Sequence, residues 1–133
     1  MITKQLSIFL QNKLGRFAQV ASILGDAGLN MRAFTVTENA DYGIVRLIVE
    51  DVEKAVETLR AASFAVNLTD VVIISIPDKP GILAQYMRTL ADEDIFIEYM
   101  YAFSNNSHAN VVIKSNDNQR CNALLESKQA ESL

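Results

Sequence analysis

The stretch LQNKLGRFAQV, residues 10–20, closes an alternating run and opens a helical one. Before it, Leu6, Ile8 and Leu10 alternate with Ser7, Phe9 and Gln11, the period of a strand with one face in a core. After it, Phe17, Val20, Ala21 and Leu24 recur at helical spacing and line one face. A polar turn from Asn12 to Gly15 joins the two. The same order of strand, polar turn, glycine and helix returns at IPDKPGILAQY, residues 76–86.

The two stretches belong to an internal repeat. The shift that lays Lys13 on Lys79 also aligns Gly15 with Gly81, Ala18 with Ala84 and Gln19 with Gln85, and later Val45 with Val111, Asp51 with Asp117 and Leu59 with Leu125. No gap is needed, and a register kept over that distance weighs more than the identities themselves. Two copies predict a duplicated domain, with boundaries at 1–68 and 69–133.

Each copy reads as βαββαβ, an α+β unit with antiparallel strands. In copy one Gly28 is a left-handed helix end, MRAFTVTE a second strand, DYG a turn, and IVRLIVE a third strand. Asp51 caps a second helix with Val52, Ala55, Val56 and Leu59 on one face, and FAVNL is a short fourth strand. In copy two the strands are expected at Val71–Ile76, near Ile95–Phe103 and at Val111–Ser115, with the last helix from Asn118. No linker separates the copies. The sequence stops at Leu133, where copy two is due its fourth strand, so that copy is expected to be truncated, with an open strand edge. Strands such as VVIISI are apolar on both faces, so the face the helices leave uncovered calls for a partner, either the sibling repeat or another chain, and with the truncated second copy this predicts a homodimer.

Composition narrows the function classes. Half of the 133 residues are hydrophobic, enough for one ordinary domain or two small ones sharing a core. Residues 1–66 carry seven basic and seven acidic side chains; the rest carry five and nine, for a net charge of −4. Neither half has the basic footprint of a nucleic-acid binder, and the third strand lacks the aromatics of an RNA-binding sheet. The apolar runs are too short to span a membrane, and the single Cys121 forms no internal disulfide. A cytoplasmic protein with no membrane contact is expected. His108, in a polar loop, and the acidic run Asp92–Asp94 read as solvated, and Cys121 as a core thiol. No catalytic residue, metal ligand or cofactor is predicted.

The segments NKLGRFAQVASILGDAGLN and DKPGILAQYMRTLADEDIF resemble the signature of ACT domains, small ferredoxin-like modules of amino-acid metabolism, and IEYMYAF resembles stand-alone tandem members. The resemblance covers nearly the whole chain. It implies a non-catalytic regulatory module that binds an amino acid at the turn between first strand and first helix and at an inter-domain interface, with a metabolic enzyme as partner. Members that bind serine-like ligands use two Asn side chains; here these positions are Asn12 and Asn30. Leu14, Gly15, Arg16, Phe17 and Met31 complete the implied site. Copy two has Asp78 and Phe96 instead of the amide pair, and copy one has Leu14 where Pro is usual.

Physical chemistry reaches the same place. A helix N-terminus offers unpaired N–H groups to a carboxylate. Gly15 lets a ligand approach the backbone, Arg16 adds positive charge, and each Asn brings an acceptor and a donor. The alternative is a ligand-free interaction and dimerisation module acting on a metabolic enzyme, with the Asn and Gly positions only shaping turns.

Overall fold

In the computed structural model, which describes residues 1–11, 13–38 and 42–131, the first alternating run is strand β1 (Ile2–Gln11). Helix α1 (Arg16–Asp26), strands β2 (Met31–Glu38) and β3 (Tyr42–Val49), and helix α2 (Val52–Ala61) follow. Strand β4 (Ala65–Pro77) leads to helix α3 (Ile82–Asp92), strands β5 (Ile97–Asn105) and β6 (His108–Ser115), and helix α4 (Asn118–Glu131). The starts of α1, β2, β3 and α2 recur, in the register that lays Lys13 on Lys79, as the starts of α3, β5, β6 and α4. The architecture is α+β, with antiparallel strand pairs.

Contacts divide the chain into two compact units: Lys4–Thr69, and Met1–Thr3 together with the chain from Asp70 onward. In the first unit the strand order is β2-β3-β1-β4. Leu6, Ile8 and Leu10 of β1 join Val45, Leu47 and Val49 of β3 under Val20 and Leu24 of α1 and Ala55 and Leu59 of α2. In the second unit Val72, Ile74 and Ile76 of β4 and Val111 and Ile113 of β6 pack under Tyr86 and Leu90 of α3 and Cys121 and Leu125 of α4. The helical and strand periods read in the sequence therefore name the core residues.

Several expectations are corrected. The separate strands expected at FAVNL and Val71–Ile76 are one unbroken strand of 13 residues, because nothing between them breaks the extended backbone. Tyr42 and Gly43, expected in a turn, pair with Gln11 and Leu10 inside the β1–β3 ladder. Strand β6 begins at His108, ahead of the expected Val111, and that His is exposed. Among the described residues no strand follows α4. The edge expected to lie open beside Ile73 is taken by the start of the chain. Ile73 N–H donates to the Met1 carbonyl at 2.8 Å, and the Met1 nitrogen donates to the Ile73 carbonyl at 3.0 Å.

Three helices end alike. A left-handed residue follows the last turn: Gly28 at φ 74° after α1, Ser63 at 69° after α2, and Asp94 at 58° after α3. The next residue returns its N–H to the final turn: Leu29 to Leu24 at 2.8 Å, Phe64 to Leu59 at 3.0 Å, and Ile95 to Leu90 at 3.0 Å. This satisfies carbonyls that helical geometry leaves unpaired and folds an apolar side chain back onto the core. The helix starts repeat as well. Asp51 accepts from Lys54 N–H at 3.1 Å, and Asp117 accepts from Arg120 N–H at 3.1 Å.

These ends and cores are open to test. Ser63 holds a conformation that costs an L-residue roughly 1–2 kcal/mol, part of which glycine gives back as chain entropy. Ser63→Gly should therefore stabilise the protein by about 0.5–1 kcal/mol, and Gly28→Ala should destabilise it by a similar amount, both read by thermal unfolding. Burial pushes the Cys121 thiol above its ordinary range, and the nearby Asp117 carboxylate acts in the same direction. Native protein at pH 8 should leave Cys121 unmodified by a disulfide thiol reagent, with full labelling in guanidinium.

Candidate functional site

The chain leaves β1 at Gln11 and enters α1 at Arg16. Gly15 is the residue before the helix, left-handed at φ 84°, and no side chain caps the helix start. A Cβ on Gly15 would meet nothing within 4 Å, so backbone conformation and not space selects glycine here. Gln19 N–H reaches back to the Gly15 carbonyl at 3.0 Å, the first regular bond of the helix. The N–H groups of Phe17 and Ala18 precede that bond and have no acceptor within the helix. With the positive end of the helix dipole, they favour an anion at this end.

A cleft of about 490 Å³ lies against this helix start. Leu10 and Gln11 come from β1, and Lys13, Leu14 and Gly15 from the turn. Arg16, Phe17 and Ala18 come from α1, Val36 from β2 and Gly43 from β3. The ladder explains the meeting: Leu10 pairs with Gly43, and Val36 pairs with Val45, a little further along β3. The Phe17 ring lies 5.6 Å from the Phe34 ring, tilted by 51°, which fixes one apolar wall.

Four of the residues expected from the sequence, Leu14, Gly15, Arg16 and Phe17, meet at this cleft. Asn30 is exposed in the loop before β2, and Met31, the first residue of β2, packs against the core; neither lines the cleft. Asn12 lies outside the described residues. Leu10, Gln11, Lys13, Ala18, Val36 and Gly43 were not expected. Val36 and Gly43 are reached only through strand pairing, which local spacing does not disclose.

Arg16 has a second neighbourhood. Its guanidinium carbon sits 4.7 Å from the centroid of the Phe64 ring, and its Nη1 donates to Gln19 Oε1 at 2.7 Å. Its Nε is buried and has no hydrogen-bond partner.

The second repeat carries the equivalent cleft. Ile76, Pro77, Lys79, Leu83, Ala102 and Ala109 are the repeat counterparts of Leu10, Gln11, Lys13, Phe17, Val36 and Gly43, and they line a space of about 260 Å³. Gly81 at φ 88° opens α3 as Gly15 opens α1, again without a side-chain cap. Asp78 lines this cleft, and Ile82, packed on the core, replaces Arg16. The two clefts share a backbone design and differ in charge.

Among the described residues, no group of three His, Cys, Asp or Glu side chains is placed to hold a metal ion, and no helix is long and apolar enough to cross a membrane.

Comparison with known proteins agrees with this architecture. The ACT domain pair family model matches residues 1–131. Among solved structures, protein BT0572 from Bacteroides thetaiotaomicron superposes with a TM-score of 0.92 at 49% identity, covering 97% of this chain and 90% of that one. The ligand-free regulatory subunit of aspartate kinase from Thermus thermophilus has a TM-score of 0.69 at 15% identity, covering 96% of both chains. The corresponding subunit from Thermus flavus has a TM-score of 0.64 at 14% identity, covering 96% of this chain and 94% of that one. At these identities the two subunits share the fold. No sequence among curated proteins matches significantly. The match runs through both ferredoxin-like repeats, and this chain belongs to the ACT domain pair family.

Proposed function

We propose that this ACT domain pair is a non-catalytic regulatory module that binds an amino acid at the α1 end of the first repeat. The observation that carries the reading is the 490 Å³ cleft over a helix start with no side-chain cap. The N–H groups of Phe17 and Ala18 suit the α-carboxylate, and Lys13 and Arg16 add positive charge. The apolar wall of Leu10, Phe17 and Val36 suits a small side chain. Asn12, between Gln11 and Lys13 in the sequence, would offer an amide oxygen to the α-ammonium. Asn30 and Met31 stand outside this cleft, so recognition in this proposal rests on the α1 end. The second cleft is smaller and carries Asp78, and it is not proposed to take the same ligand.

The regulatory assignment draws on the company the fold keeps, since two of the similar structures are regulatory subunits of aspartate kinase. By analogy, ligand binding would shift the state of the module, and a metabolic enzyme in the cytoplasm would read that shift. A homodimer is part of the proposal. In the first unit Phe9 and Tyr42 are 38% and 42% exposed, with ring centroids 6.3 Å apart. Phe9 alternates with the core residues Ile8 and Leu10 and so lies on the strand face turned from the helices. This pair also favours the second reading, a ligand-free interaction module whose exposed sheet face meets a partner.

Two measurements separate these outcomes. Thermal unfolding with each of the twenty amino acids at millimolar concentration should show stabilisation by one or a few of them. A ligand at 100 times its dissociation constant should add about 2.7 kcal/mol. A flat panel would reject the ligand reading in favour of the interaction module. Light scattering at micromolar concentration should give the mass of a dimer, reduced to that of a monomer by Phe9→Lys, while a wild-type monomer would overturn the dimer.

A further inference from the structure

We infer that Arg16 is the carboxylate-recognising arm of the first-repeat cleft, held in reserve on Phe64 until a ligand draws it away. The inference rests on the proposed ligand site and adds to it a residue, a ligand class and a movement.

Arg16 belongs to two spaces at once. It lines the cleft at the start of α1 and also a groove of about 460 Å³ with Ala18, Gln19, Ser22, Ile23, Ala62 and Phe64. Its guanidinium is committed to the groove, stacked at 4.7 Å from the Phe64 centroid and held by one hydrogen bond to Gln19. Phe64 itself is fixed, 6% exposed within the first core. The arrangement is incomplete, because Nε is buried with no partner. A buried donor left unpaired is unfavourable, and its persistence asks for a state in which it is paired.

The second repeat shows what the position needs for folding alone. There it is Ile82, packed against the second core with no polar atom to satisfy. The strand, turn and helix form in that repeat without an arginine, so the arginine answers a different requirement. Guanidinium offers Nε–H and Nη–H as a planar fork that matches both oxygens of a carboxylate. A carboxylate at the first turn of α1 would meet the Phe17 and Ala18 N–H groups from one side and this fork from the other. Moving there, Arg16 gives up the ring and the Gln19 amide and pairs its Nε. The same movement uncovers Phe64 and opens the groove between α1 and the turn after α2. The absence of an arginine from the second cleft, together with Asp78, restricts this recognition to the first repeat.

The test uses the full chain labelled with 15N at arginine. The Arg16 Nε–H signal, assigned by its loss in Arg16→Gln, is followed with sodium acetate against sodium chloride at equal ionic strength, and with each amino acid that stabilises the protein. Acetate should move this signal and the Phe64 ring signals together; chloride should not. In calorimetry or NMR titration, Arg16→Gln should weaken carboxylate binding at least tenfold, and Arg16→Lys, which lacks the fork, nearly as much. Phe64→Leu should tighten binding about two- to five-fold, the worth of the stacking it removes. Gln19→Ala, at an exposed position, should act in the same direction. A merely structural arginine predicts the opposite sign for Phe64→Leu or no change. Amino-acid binding that leaves the Arg16 signal in place and survives Arg16→Gln would overturn the arm and keep the amino-acid site. An acetate response without any amino-acid binding would keep the arm and reject the amino acid. No response to either probe would overturn both.

Discussion

The left-handed turn that ends the first strand is the constraint on which the rest of each repeat depends. Gly15 at φ 84° and Gly81 at φ 88° redirect the chain from a strand into a helix within a short turn. That redirection lays Val20 and Leu24 over β1 and β3, and Tyr86 and Leu90 over β4 and β6. It also leaves the helix start without a side-chain cap, so its first N–H groups lack both a helical and a side-chain acceptor. One backbone choice therefore closes the core on one side and opens a cleft on the other. The clefts are by-products of how the strand becomes a helix, and this is why both repeats have one.

The pair reads as divergence of side chains on a shared backbone. Phe17 becomes Leu83, Val36 becomes Ala102, Gly43 becomes Ala109 and Arg16 becomes Ile82 across an offset that never slips. The first cleft keeps an aromatic wall and two cations at its rim. The second is about half the volume and has Asp78 in its lining beside Lys79. Different charges beside equivalent helix starts give the two clefts different ligand preferences before any specific ligand is considered.

Much of this was legible in the residues. The period of two in β1 and the helical period after Phe17 name the elements and their core faces, because burial follows those periods directly. MRAFTVTE is the observed β2, and Asp51 is the observed cap of α2. The register between the repeats carried these readings into the second half. What failed was non-local. Tyr42 looks like a turn residue beside Gly43, and only pairing with Gln11 and Leu10 shows them to be strand. Val36 and Gly43 enter the cleft through that same ladder. Arg16 meets Phe64 from the far side of β2, β3 and α2 in the sequence, a contact that no spacing rule contains. Asn30 follows the Gly28 turn as expected, yet the cleft is walled by β2 and β3 further along, at Val36 and Gly43.

The pairing of Met1 with Ile73 sets an order of events for a chain made from its N-terminus. Once Thr69 has left the ribosome, every strand and helix of the first unit is present, and its core can close. Met1 to Thr3, made ahead of that unit, have no place in it. They wait until the segment around Ile73 is extended, since the bond they form spans a separation of 72 positions. A segment synthesised before the whole of the first unit is thus among the last to find its neighbours. The second unit completes its sheet with residues that run directly into the first, which couples the maturation of the two repeats without any linker between them.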